Sequence, residues 1–143
     1  MSPAIYCAFF FTVALLVTTA HFLMGGLPLL ILKHDVPLDS RFIRSFFNLY
    51  YRLAMAFSLL ACLSYIGWAK WPFAWGAGGI VGVSWLLRKF FLRKMDGLGA
   101  RIHANDADAI LEFRRVHALA LLINLAQLVV IVGSMVKLTK QLF

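Results

Sequence analysis

The sequence predicts an all-α protein: a polytopic integral-membrane four-helix bundle with both termini on its outer face. Three observations lead there. The 143-residue chain is 62% hydrophobic and 14% charged, with a mean hydropathy of +0.84, whereas a soluble domain holds about 45–50% apolar and about 25% charged residues. The apolar residues fall into four long runs, and the charges gather in the connections between them. The same composition excludes a disordered chain, a coiled coil and a disulfide scaffold. It also argues against a nucleic-acid partner. A net charge of +8 on so apolar a chain reports membrane topology instead.

A bilayer core about 30 Å thick takes roughly 20 apolar residues as a helix. The first run, Ile5 to Leu32, carries no charge except that of His21 when protonated. It lacks a basic leader and is too long for a signal peptide, so it reads as a retained span. Lys33, Asp35, Pro37, Asp39 and Arg41 end it. The second run, Leu53 to Ala69, extends backward as a helix through Phe46, Phe47, Tyr50 and Tyr51. Lys70-Trp71-Pro72 makes a tight connection to the third run, Phe73 to Leu87, which is short before Arg88. Gly97 and Gly99 interrupt the chain after it. Asn105 is a candidate N-cap, followed by Asp106, Asp108 and Glu112. The fourth run is Val116 to Val136, on a helix that begins well outside the membrane. The whole chain, 1–143, thus reads as one domain with spans at about 5–32, 46–69, 73–92 and 113–136.

Four spans put the termini and the second connection on one face. The other face holds Lys33, Arg41, Arg44, Arg52, Arg88, Lys89, Arg93, Lys94, Arg101, Arg114 and Arg115, eleven of the fourteen basic residues, and every acidic residue. The positive-inside rule makes that face cytoplasmic in a bacterial-type inner membrane, with connections 33–45 and 88–115 inside and both termini outside. Trp68, Trp71 and Trp75 fit an outer aromatic belt, and Tyr50 and Tyr51 an inner one. The basic segment Arg88, Lys89, Arg93 and Lys94 reads as a contact for anionic lipid headgroups. Gly78 and Gly82, and Gly25 and Gly26, are expected points of close helix approach. Pro28 is expected to kink the first helix. Cys7 and Cys62 read as small packing residues.

Ionisable and polar groups within the spans are few and mark the candidate site. His21 lies near the centre of the first span. His117 and Asn124 share a face of the fourth, with Arg114 one turn before and Gln127 three residues after Asn124. Arg44, Asn48 and Arg52 follow one another at intervals of four. Together, His21, Arg52, Arg114, His117, Asn124 and Gln127 form the expected interior polar network. His21 and His117 are also candidate haem ligands, although a simple bis-histidine pair would need helices offset by about 12 Å. No serine-hydrolase elbow, zinc helix, Walker loop or dinucleotide fingerprint is present, and no carboxylate lies within a span.

Three stretches resemble the transmembrane-protein-205-like family of small four-helix membrane proteins. They are His21-Phe-Leu-Met-Gly-Gly-Leu-Pro-Leu-Leu-Ile-Leu32, Arg44-Ser-Phe-Phe-Asn-Leu-Tyr-Tyr-Arg52 and the helix with Arg114, His117 and Asn124. Ala120 departs from that pattern, in which a serine is more usual. The resemblance implies a four-span membrane protein without an agreed reaction. A fainter one, through His21, Gly26-Leu27 and His34, is to the haem-binding membrane protoporphyrinogen oxidases. It implies haem b as cofactor, but their lysine-bearing histidine segment has no counterpart in the third span. The leading expectation is a non-enzymatic accessory or binding subunit of a larger membrane complex, with the lipid bilayer and other membrane subunits as partners. The alternatives are a haem-b redox protein and a small transporter of metal ions or amphiphiles.

Overall fold

The computed structural model describes residues 2–31 and 37–143. Four helices follow one another: α1 (Pro3–Leu29), α2 (Pro37–Gly67), α3 (Trp71–His103) and α4 (Ala107–Leu142). They run up and down as a closed ring in which α1 neighbours α2 and α4, and α3 neighbours the same two. One end holds both termini and the α2–α3 turn; the other, basic end holds the α3–α4 turn.

Three of the four helices, α1, α2 and α4, are long and apolar enough to cross a membrane. α3 falls short, although a fourth span was expected there. Its uncharged stretch between Lys70 and Arg88 is diluted by Gly76, Gly78, Gly79 and Gly82 and by Trp71, Trp75 and Trp85. It nevertheless runs the height of the bundle, packed along α2.

The helices outlast the apolar runs because their charged ends stay helical. α2 and α3 both finish in the left-handed residue of a Schellman turn. At the first, Ala69 (φ 58°) donates to Ile66 O and Lys70 to Tyr65 O. At the second, Asn105 (φ 63°) donates to Ile102 O and Asp106 to Arg101 O. Asn105 therefore closes α3 and, contrary to the expectation from sequence, does not cap α4. The cap is Asp106, whose Oδ1 accepts from Asp108 N at 3.0 Å. Asparagine tolerates the left-handed region, which leaves the cap to the next residue. Pro28 lies in the last turn of α1, where it accompanies a helix end.

Inside, the basic half is filled by rings: Phe22, Phe47, Tyr50, Tyr51 and Phe113 pack with Ile43 and Met95. The terminal half is lined by smaller groups, with Ala8, Ala61, Ala74 and Ala77 around Tyr65 and Leu138. Outside, large apolar side chains face outward on every helix, among them Phe10 and Val17, Leu49 and Leu63, Trp75 and Leu86, and Leu122 and Val129. Soluble monomers rarely expose so continuous an apolar surface.

The tightest surroundings of any described glycine are at Gly26. A Cβ there would stand 2.4 Å from Leu121 Cδ2, so α1 and α4 meet through its missing side chain. The expected contact at Gly78 and Gly82 does not form: Gly78 is in ordinary contact with Cys62, and Gly82 has nothing within 4 Å.

Candidate functional site

A polar layer crosses the middle of the bundle. Tyr50 Oη donates to Gln127 Oε1 at 2.9 Å and stands 3.3 Å from Thr19 Oγ1, tying α1, α2 and α4 together. The contacts Arg88–Asn48, Cys62–Ala74, Lys94–Glu112 and Phe47–His117 fix the helix register. That register brings Tyr51, Ser84 and Asn124 within one turn of each other along the axis. All three are fully buried. Tyr51 Oη, Ser84 Oγ, both amide atoms of Asn124 and Gln127 Nε2 have no hydrogen-bond partner among the described residues. His117, also fully buried, meets the ring of Phe47 edge-on at 5.5 Å.

Toward the termini the interior opens into a hollow of about 290 Å³, near the lower end of small-molecule pockets. All four helices line it. Its apolar wall includes Leu15, Ile80 and Ile131, and its mouth carries Ser134, Lys137 and Gln141. At its floor, Thr12 donates to Ala8 O and accepts from Tyr65 Oη, both at 2.7 Å. Small residues make the space: Gly76 lines it, and a side chain added there would meet nothing within 4 Å. Lys70 lies nearby and donates to Gln141 at 3.3 Å.

The basic end is knitted by ion pairs. Arg101 contacts Asp106 at 3.0 Å and Glu112 at 3.4 Å, and Lys94 contacts Glu112 at 3.3 Å. The hydrogen bond from Arg101 holds the Asp106 carboxyl below the ordinary carboxylate range. Arg44 pairs with Asp96, and Arg88 donates to Asn48 at 3.0 Å.

The expected interior network divides. His117, Asn124 and Gln127 are inside, but His21, Arg52 and Arg114 are exposed. On α1 the inward stripe is Ala8, Thr12, Leu15, Thr19, Phe22 and Gly26; His21 falls beside it, with its ring edge-on to Phe22. Eight residues at 3.6 per turn carry Arg52 about 80° round from Arg44, so Arg44 and Asn48 face α3 and Arg52 does not. Arg114 donates to Leu30 O at 3.1 Å and closes the end of α1. Tyr50 and Tyr51 are core residues and do not form an inner belt. Lys94 turns toward α4, away from Arg88 and Lys89. Thr19, Tyr51 and Ser84 were not foreseen as site residues. For Thr19 and Ser84 the signal was a polar side chain on the small-residue stripe of an otherwise apolar helix stretch.

His21 faces outward and His117 is enclosed, so the two do not converge on one haem; the residues present do not fit a bis-histidine site. His34 lies outside the described residues. No group of three or more His, Cys, Asp or Glu residues suited to a metal ion occurs among the described residues.

Fold and interior define an all-helical four-helix bundle with three candidate membrane spans. Comparison of the chain with known protein families, curated proteins and solved structures finds no match.

Proposed function

We propose that this chain is a small, non-catalytic binding subunit of the membrane, lodging an amphiphile between its helices. It inserts with the basic end in the cytoplasm and both termini outside, as the charge distribution favours. A bacterial-type inner membrane suits that arrangement. The less apolar α3 crosses with the bundle because its neighbours cover part of it. The resemblance to transmembrane-protein-205-like proteins supports the same four-span layout.

The observation that carries the reading is the hollow at the terminal end. Its walls are apolar, while Lys137 and Gln141 stand at its mouth. That combination suits an acyl chain with an anionic head. The surrounding apolar belt gives such a molecule lateral entry from lipid, and leaves helix faces on which a larger membrane complex could seat this subunit.

Native mass spectrometry of protein extracted in nanodiscs tests this. Wild type is expected to retain one amphiphile per chain. Gly76→Leu, which adds a bulky side chain at the wall of the hollow, is expected to lose it without loss of helix content, since glycine lies about 0.8–1 kcal/mol below alanine as a helix former and leucine ranks close to alanine. Equal retention by both proteins, or none by either, would overturn the reading.

A further inference from the structure

A second site lies at the opposite end, on the outside of the α2–α3 pair. Arg44 and Asn48 of α2 and Trp85, Arg88, Lys89 and Arg93 of α3 line a cleft of about 420 Å³. Asp96 is its one carboxylate. Two of the cations are held in place, Arg44 by Asp96 and Arg88 by Asn48. Lys89 lies over the Trp85 ring, 5.1 Å from its centroid. Arg93, one turn on, is exposed, and neither it nor Lys89 has an acidic partner among the described residues.

This differs from the α3–α4 side of the same end. There Glu112 and Asp106 answer Lys94 and Arg101, and little positive charge is left over. The α2–α3 cleft keeps an excess of three positive charges, four cations against Asp96. It also lies where the surface changes character. Toward the termini, Leu49, Trp85 and Leu86 are exposed and apolar. Toward the basic end, the same helix faces carry charge.

We propose that this cleft seats the headgroup of an acidic glycerophospholipid of the leaflet at the basic end. The phosphate lies between Lys89 and Arg93, with Arg88 behind it, and the acyl chains follow the exposed apolar residues above. A guanidinium and an ammonium in a partly enclosed groove favour a phosphate anion. A choline headgroup would set its own cation against that excess charge. Free inorganic phosphate would leave the adjoining apolar surface unused. The inference rests on membrane insertion, but not on occupancy of the terminal hollow.

The test reconstitutes the full chain in nanodiscs of equimolar phosphatidylglycerol and phosphatidylcholine, then measures by native mass spectrometry the lipid retained as detergent strips the annulus. Wild type is expected to keep phosphatidylglycerol over phosphatidylcholine by about tenfold or more, each interfacial basic residue being worth on the order of a factor of five. Lys89→Gln/Arg93→Gln is expected to bring the ratio near parity. Arg115→Gln/Lys140→Gln, with the same change in net charge, is expected to leave it unchanged. Parity in wild type, an unaltered preference in the first variant, or displacement of the retained lipid by excess inorganic phosphate would overturn the proposal. Quenching of Trp75 fluorescence by brominated lipid, in a chain with Trp68, Trp71 and Trp85 replaced by Phe, reads insertion separately. Quenching without preference removes the cleft alone, whereas no quenching removes the membrane reading beneath it.

Discussion

The two halves of the bundle are built from the same four helices and solve opposite problems. In the basic half, Phe22, Phe47, Tyr50, Tyr51 and Phe113 fill the space between helices, and ion pairs bind the exterior. In the terminal half, Ala61, Gly76 and Ala77 let the space remain, and a Thr12–Tyr65 hydrogen bond spans its floor. Between them lies a polar layer whose hydrogen bonds are only partly satisfied. Side-chain volume alone thus converts one bundle into a rigid base and a hollow top. Lipid is as apolar as leucine, so packing quality rather than expulsion from water separates the two.

Truncating a large residue in each half is the strongest way to break that comparison. Phe47→Ala empties a filled core and is expected to cost on the order of 3 kcal/mol in detergent unfolding, the cavity term remaining where transfer from water does not. Ile131→Ala only widens an existing hollow, so less than about 2 kcal/mol is expected. Equal losses would mean that the halves are equally tight.

The boundary layer comes next. Asn124 is enclosed with both amide atoms unpartnered among the described residues, and a buried unsatisfied polar group costs about 1–3 kcal/mol. Asn124→Leu is therefore expected to raise stability by an amount in that range. A loss instead would show that water or a bound molecule completes the layer.

The smallest effect concerns the exposed corner between α3 and α4. Asp106 titrates below its unfolded value because of Arg101. Its contribution is present above the ordinary carboxylate range and is lost as pH falls through the lowered folded value. Hydrogen exchange at residues 104–110 is expected to quicken on that acid limb. In Asp106→Asn, which keeps a capping side chain, that acid dependence is expected to vanish.

The helices themselves were legible in the sequence because hydropathy and punctuation agree. Pro3, Pro37 and Pro72 mark helix starts, and charge marks the basic end. The site was legible only in part. On α4 the polar residues His117, Asn124 and Gln127 stand alone among aliphatic ones, so their spacing named the inner face. On α1 the same logic selected His21, the most conspicuous polar residue, when Thr12 and Thr19 carry the inward stripe. In a helix apolar all round, hydrophobicity does not say which side faces inward. The repeat of small residues does. Nor does periodicity reveal whether glycines on α3 bring helices together or leave room between them, because that depends on what the neighbouring helix presents. Here Gly76 lines the hollow and Gly78 meets Cys62, while Gly79 and Gly82 stand on the exposed surface.

The turn joining α2 to α3 bears on how the protein is made. Gly67 and Trp71 are separated by three residues, with Ala69 in the left-handed region. So short a link cannot let the two helices enter a bilayer on separate occasions. α3 alone is the least apolar of the four, yet it lies along α2 for its whole height. In a chain that inserts, the pair must therefore partition as one hairpin, the greasier arm carrying the other. Whatever disturbs the reversal at Ala69 would then be felt first as failed biogenesis, before any ligand is bound.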